Sequence, residues 1–229
     1  FKNQPPAVAN NSAQRVSLPV ILTIFLVITF LAYLVNIKPV LANLDCIKAV
    51  EIEKMGQANE RYKDIVDYFK KSFSYNSYQA AEFRQYFADF VVSKIKEDKI
   101  PQSDLTVIAD LAIAELKKNI EKEPDNVRHY LYLMTLYNNS FRLAKDRPDL
   151  DLALELGNKA IPLSPTRPHI YFEMAQGYIF KGDYEKAIEY FKNGLALTDK
   201  VIDFHWGLAG TYILAGKDEE AEKQFQWMR

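Results

Sequence analysis

The chain has 229 residues, is 48% hydrophobic and carries a formal net charge of −1. That is enough apolar material for a core, and it leaves no basic field to draw DNA or RNA, so nucleic acid is not expected as a partner. The single cysteine, Cys46, has no disulfide partner within the chain and no metal-ligating neighbour at short spacing, and it reads as a small buried hydrophobe.

Residues 1–16 are polar, with Pro5, Pro6 and only Lys2 and Arg15 as charges, and are expected to be an irregular flank. Residues 17–35 then run without a charge. A stretch of that length, apolar on every side, predicts a helix that crosses a bilayer, with Pro19 in its first turn and Tyr33 near its far end. Lys2 and Arg15 on one side are balanced by Lys38 and Lys48 on the other, so charge bias leaves the orientation open.

The span is expected to stop before Pro39. Beyond it, residues 36–123 show helical periodicity without strong signature residues. Leu41, Leu44, Ile47, Val50 and Ile52 form one apolar stripe, and Tyr62, Ile65, Val66, Phe69 and Phe73 a second after Gly56. A third contains Phe83, Tyr86, Phe87, Phe90 and Val91, and a fourth, with Ser103 as its expected N-cap, contains Leu105, Ile108, Ala112, Leu116 and Ile120 before Pro124.

From residue 124 onward a repeat emerges. Gly182, Ala187 and Phe191 recur as Gly216, Ala221 and Phe225, and upstream Phe172, Met174, Ala175 and Tyr178 recur as Trp206, Leu208, Ala209 and Tyr212. The common offset of 34 resembles the tetratricopeptide repeat (TPR), in which small residues let paired helices approach and a glycine with positive φ ends the first helix. Gly194 and Asp199 depart from the family, which prefers Ala and Pro there. An earlier unit holds Tyr130, Leu133, Met134 and Tyr137, then Ala153, Ala160 and Pro165, with extra residues between Asn138 and Asp149 that read as a surface insertion. The fold expected is all-α: one membrane helix, then a right-handed solenoid of roughly four hairpins, degenerate over 36–123 and regular over 124–229.

The order of span, Asn36-Ile-Lys-Pro-Val40, weak hairpins and better repeats also resembles the carboxy-terminal region of O-antigen ligase and polymerase-like bacterial membrane proteins. Tyr68 to Asn76, Glu82-Phe-Arg-Gln85 and Glu123 to Leu131 carry that resemblance. It implies a bacterial inner membrane, cell-envelope polysaccharide assembly, and a lipid-linked glycan as substrate only where a ligase domain precedes this chain. It assigns no catalytic residue here. The start at Phe1 and the stop within a repeat read as a fragment of a longer protein.

No constellation for chemistry stands out. His129, His169 and His205 are far apart, each at the start of a repeat, and no glycine-rich phosphate loop or nucleophile elbow occurs, so neither a metal, a cofactor nor a catalytic group is expected. Binding is the expected activity. First helices of such repeats line a groove, which places His169, Phe172, Gln176 and Phe180 of one repeat and Asp203, Trp206 and Ile213 of the next toward a protein or peptide partner. Phe172 and Trp206 could be paired aromatic anchors, or could pack between hairpins. The bilayer is the other expected contact, through residues 17–35. Two functions are consistent with this: a noncatalytic tail of a ligase-like enzyme, or a stand-alone single-span scaffold.

Overall fold

The computed structural model describes residues 17–144, 147–198 and 200–229. The expected flank at residues 1–16, and Asp199, lie outside them. Among the described residues the chain is entirely helical, and one long N-terminal helix leads into five helical hairpins rather than the four expected.

Helix α1 (Leu18–Ala32) starts with Pro19 in its first turn and buries none of its side chains. Its two threonines leave no free donor, because the Thr23 and Thr29 hydroxyls donate to the carbonyls of Pro19 and Phe25 at 2.9 and 2.8 Å. The expected stop before Pro39 does not occur. Tyr33–Ile37 forms a π-helical turn in which the Lys38 N–H donates to the Tyr33 carbonyl, and α2 (Lys38–Lys54) continues directly. Proline lacks the N–H that would reach Val35 and its ring presses on that carbonyl; widening the helix at this turn absorbs both. The result is one helix from Leu18 to Lys54, long and apolar enough over its first part to cross a membrane.

Of the stripe read on α2, Ile52 is buried and Val50 partly buried, but its first three members face the wrong way. Leu41, Leu44 and Ile47 are exposed, whereas Pro39, Ala42, Asp45, Cys46, Ala49 and Ile52 are buried. Ala42, Cys46 and Ala49, at i, i+4 and i+7, form a seam of small side chains that lets α3 (Tyr62–Ser74) lie close. The Asp45 carboxylate is covered by that contact and takes Lys71 of α3 at 3.2 Å. Cys46 is buried as expected, and burial pushes its thiol up to about 11.

Helix α4 (Ala80–Glu97) ends at Asp98, whose φ of 52° closes it in the left-handed region. Phe69 and Phe73 of α3 meet Phe87 and Phe90 of α4 with ring centroids 5.2–6.4 Å apart, the aromatic centre of the first half. Helix α5 (Gln102–Lys122) is entered through Pro101, so Ser103 sits inside the first turn and is not the cap. Arg84 fastens α4 to α5 through buried bonds of 2.9 Å to Glu115 Oε2 and 2.9 Å to Asn119 Oδ1.

The second half consists of α6 (Val127–Ser140), α7 (Asp149–Leu163), α8 (Pro168–Lys181), α9 (Tyr184–Leu197), α10 (Ile202–Leu214) and α11 (Asp218–Trp227). Hydrogen bonding repeats along with the sequence: the Tyr130 hydroxyl donates to the Pro124 carbonyl and the Tyr171 hydroxyl to the Pro165 carbonyl, each at 2.8 Å. Gly182 and Gly216 end α8 and α10 with φ of 78° and 71°. Of the extra residues after Asn138, Phe141, Leu143 and Arg147 are tied down. Phe141, in a short 3-10 turn, stacks on Phe180 with centroids 4.8 Å apart, Gln102 Nε2 donates to the Leu143 carbonyl at 2.8 Å, and Arg147 bonds Asp110 at 2.8 Å.

The repeat is imperfect in a compensated way. Gly157 stands 34 residues before Phe191, and a side chain there would meet the Met174 sulfur at 2.1 Å and the Met134 methyl at 2.8 Å. Two flexible methionines occupy the room that one aromatic ring takes in the next repeat.

Candidate functional site

The helix pairs are α2/α3, α4/α5, α6/α7, α8/α9 and α10/α11, so α2, α4, α6, α8 and α10 are the first helices, the wall of the solenoid, in which α6 packs against both α4 and α8. The seven expected binding residues lie on α8 and α10, in differing surroundings. His169, Asp203 and Ile213 are exposed, and Gln176 is half-buried. Phe180 is held between Phe141 and the Arg142 guanidinium, which lies 5.0 Å from its ring centroid.

Phe172 and Trp206 are equivalent in sequence but not in environment. Phe172 is half-buried, edge-on to Phe191 at 5.6 Å and to Phe204 at 5.4 Å, within the joint between consecutive hairpins. Trp206 is 56% exposed and touches only the edge of the Phe225 ring among the aromatic side chains described, at 5.7 Å. Of the two, Trp206 is the one with a face open to a partner.

The histidines do separate work. His129 is buried, with Nδ1 3.4 Å from Gln85 Nε2 and Nε2 3.1 Å from Glu123 Oε2. The Asn126 amide and then His129 hold the Glu123 carboxyl below its ordinary range. His205 is stacked on Trp227, ring centroids 3.5 Å apart, and its Nδ1 lies 2.8 Å from Gln224 Oε1.

Two features of the wall escaped the sequence reading. The first is a carboxylate between first helices. Glu173 of α8 accepts the Thr135 hydroxyl at 2.7 Å and the Asn138 amide at 2.8 Å, both from α6, and burial pushes its carboxyl above the ordinary glutamate range. Asn138 Oδ1 is buried beside it without a donor.

The second is a groove of about 730 Å³ between α2 and α4. Phe69, Phe83 and Phe90 are its apolar lining, and the exposed Ile47 and Tyr86 stand at its rim. Glu51, Glu53, Glu82 and Asp89 also line it, with Lys54 as the single cation. Burial, then the neighbouring Glu53 charge, push the Asp89 carboxyl up, against a smaller pull from Arg128. The spacing of Glu82 and Asp89, two turns apart on one helix face, was the available signal; read on α4 alone it looks like any solvated face.

Neither a protein-family model nor a curated protein matches the chain. Solved structures do. TTC0263, a thermophilic TPR protein from Thermus thermophilus, superposes with a TM-score of 0.58 at 21% identity, over 81% of this chain and 88% of its own. A crystal structure of MamA superposes with a TM-score of 0.51 at 17% identity, over 78% of this chain and 90% of its own. At such identities what is shared is the fold, and the fold of this chain is that of an all-α tetratricopeptide-type solenoid.

Proposed function

We propose that the chain is a membrane-anchored interaction scaffold, in which residues 17–35 lie in the bilayer and the first-helix wall holds a protein or peptide partner. The observation that carries this reading is the open part of the wall. Trp206 and Ile213 are 56% and 52% exposed on a rigid helix of a solenoid, where large apolar side chains serve contact better than solvation. The unburied α1 supports the anchor: an apolar helix that packs on nothing within the protein has a lipid environment as its natural complement.

The wider setting proposed is the noncatalytic tail of an O-antigen ligase-like protein of the bacterial inner membrane, supported by the order of span, irregular hairpins and regular repeats. The experiment has two arms. A photo-crosslinking residue at Ile213 in native membranes yields a defined adduct that Trp206→Ala reduces while leaving helicity unchanged; an adduct indifferent to Trp206→Ala refutes the wall as the contact. The coding sequence upstream of Phe1 encodes further membrane spans if the ligase setting holds, and an initiator Met beside Lys2 removes it in favour of the stand-alone scaffold.

A further inference from the structure

We propose that the groove between α2 and α4 is a docking site for a cationic segment of a partner protein, one in which lysine or arginine side chains flank an apolar residue. This rests on the scaffold reading but uses a different part of the wall from Trp206 and Ile213.

The packing of the first helices opens the site. α4 lies against α6 and α6 against α8, whereas α2 and α4, like α8 and α10, are not packed so closely, and the groove of about 730 Å³ lies between α2 and α4. Its interior is built from phenylalanine rings, and Ile47 and Tyr86 at its rim are 43% and 54% exposed. An apolar residue of a partner would bury against these surfaces.

Charge selects the occupant. Four carboxylates face one ammonium in the lining although the protein as a whole is at −1, so the surplus is local. None of Glu51, Glu53, Glu82 and Asp89 forms a hydrogen bond or ion pair through its side chain among the described residues; their acceptors are unengaged. Burial first, and the Glu53 charge second, raise the Asp89 carboxyl, and an incoming cation offsets both. A neutral group makes an independent statement. Gln79, also in the lining, keeps Oε1 buried with no donor, and a lysine or arginine N–H is the kind of donor that it lacks. An acidic segment or an anionic lipid headgroup meets repulsion at every one of these positions.

The test uses the full chain in nanodiscs of zwitterionic phosphatidylcholine, with fluorescein-labelled Lys-Leu-Lys-Leu-Lys and Glu-Leu-Glu-Leu-Glu pentapeptides read by anisotropy against empty discs. The lysine peptide is expected to bind and the glutamate peptide not to. Glu82→Gln with Asp89→Asn should weaken binding at least ten-fold, and Tyr86→Ala several-fold, while Glu219→Gln with Glu220→Gln on α11 should leave it unchanged. Glu82, Asp89 and Tyr86 are exposed, so circular dichroism should show intact helicity in each variant. Absent binding of the lysine peptide, equal binding of both peptides, or an equal loss from the α11 pair overturns the proposal. If the pentapeptide fails while the Trp206-dependent adduct persists, the groove assignment falls and the scaffold reading stands.

Discussion

Gly194→Ala is the substitution that the repeat pattern itself recommends, and the geometry reverses its sign. In an unstrained helix interior, alanine in place of glycine stabilises by about 0.8–1.0 kcal/mol. At Gly194 the added methyl would sit 2.0 Å from Phe204 Cε1 and 2.8 Å from Cδ1. Ordinary carbon contacts are about 3.5–4.0 Å, so the ring must retreat by more than roughly 1 Å. It has nowhere to go. Phe204 is 2% exposed and is met edge-on by Phe172 at 5.4 Å and Phe191 at 6.1 Å. Overpacking of this kind costs about 1–3 kcal/mol, and each displaced aromatic pair adds about 0.5–1.5 kcal/mol. The net expectation is a loss of about 1–5 kcal/mol once the propensity gain is subtracted, and each kcal/mol lowers Tm by about 2–4 °C in a domain of this size. Gly210, in the middle of α10 with nothing within 4 Å of an added methyl, is the matched control, and Gly210→Ala should stabilise. Thermal melts by circular dichroism compare the two, and hydrogen exchange across α9 and α10 localises the damage. Phe204→Leu in the Gly194→Ala background should recover part of the loss. A Gly194→Ala protein as stable as the Gly210→Ala protein refutes the steric reasoning.

Other expectations follow from single contacts. Gly182→Ala forces a side chain into the left-handed region at φ 78° and should cost about 1–2 kcal/mol in the same melts. Arg84→Met removes the guanidinium from Glu115 and Asn119 but leaves Lys118 paired with Glu115 at 2.5 Å, a loss of about 1.5–3 kcal/mol; adding Glu115→Gln should return part of it, and strictly additive losses in a denaturation series would contradict a paired role. Glu173 gives a pH signature. Its folded pKa is raised above the ordinary glutamate value of 4.5, so its ionisation disfavours the folded state: its contribution is most favourable below that value and declines as pH rises through the folded pKa. Glu173→Gln removes this decline, so the stability of the variant relative to the parent should climb with pH above 4.5 in denaturant titrations, and a difference independent of pH refutes it.

The second half of the fold was legible because its determinants are local. An offset of 34 carries the positive-φ glycines, the small seam residues and the tyrosines whose hydroxyls return to a preceding carbonyl, and each acts within one hairpin. What local pattern could not convey is compensation between hairpins. Gly157 breaks the repeat where Met174, on the next helix, supplies the volume, and Gly194 breaks it where Phe204, again on the next helix, requires the space. Phe172 and Trp206 show the same limit at the candidate site: they hold one repeat position, but Phe204 closes over the first while the second stays open.

The first half misled for a different reason. Over most of α2 the large apolar residues Leu41, Leu44 and Ile47 mark the exposed face and the small ones mark the contact, with Ile52 buried only near its end, close to the reverse of the usual hydrophobic stripe. Van der Waals packing at short interhelical distance depends on side chains that do not hold the backbones apart, and Ala42, Cys46 and Ala49 meet that condition while Leu41, Leu44 and Ile47 do not. The exposed side chains of Val40, Leu41 and Leu44 extend the apolar surface of α1 past the π-helical turn. That turn is what joins the two surfaces. With the small seam taken up by α3, Ile47 is left exposed at the mouth of the acidic groove.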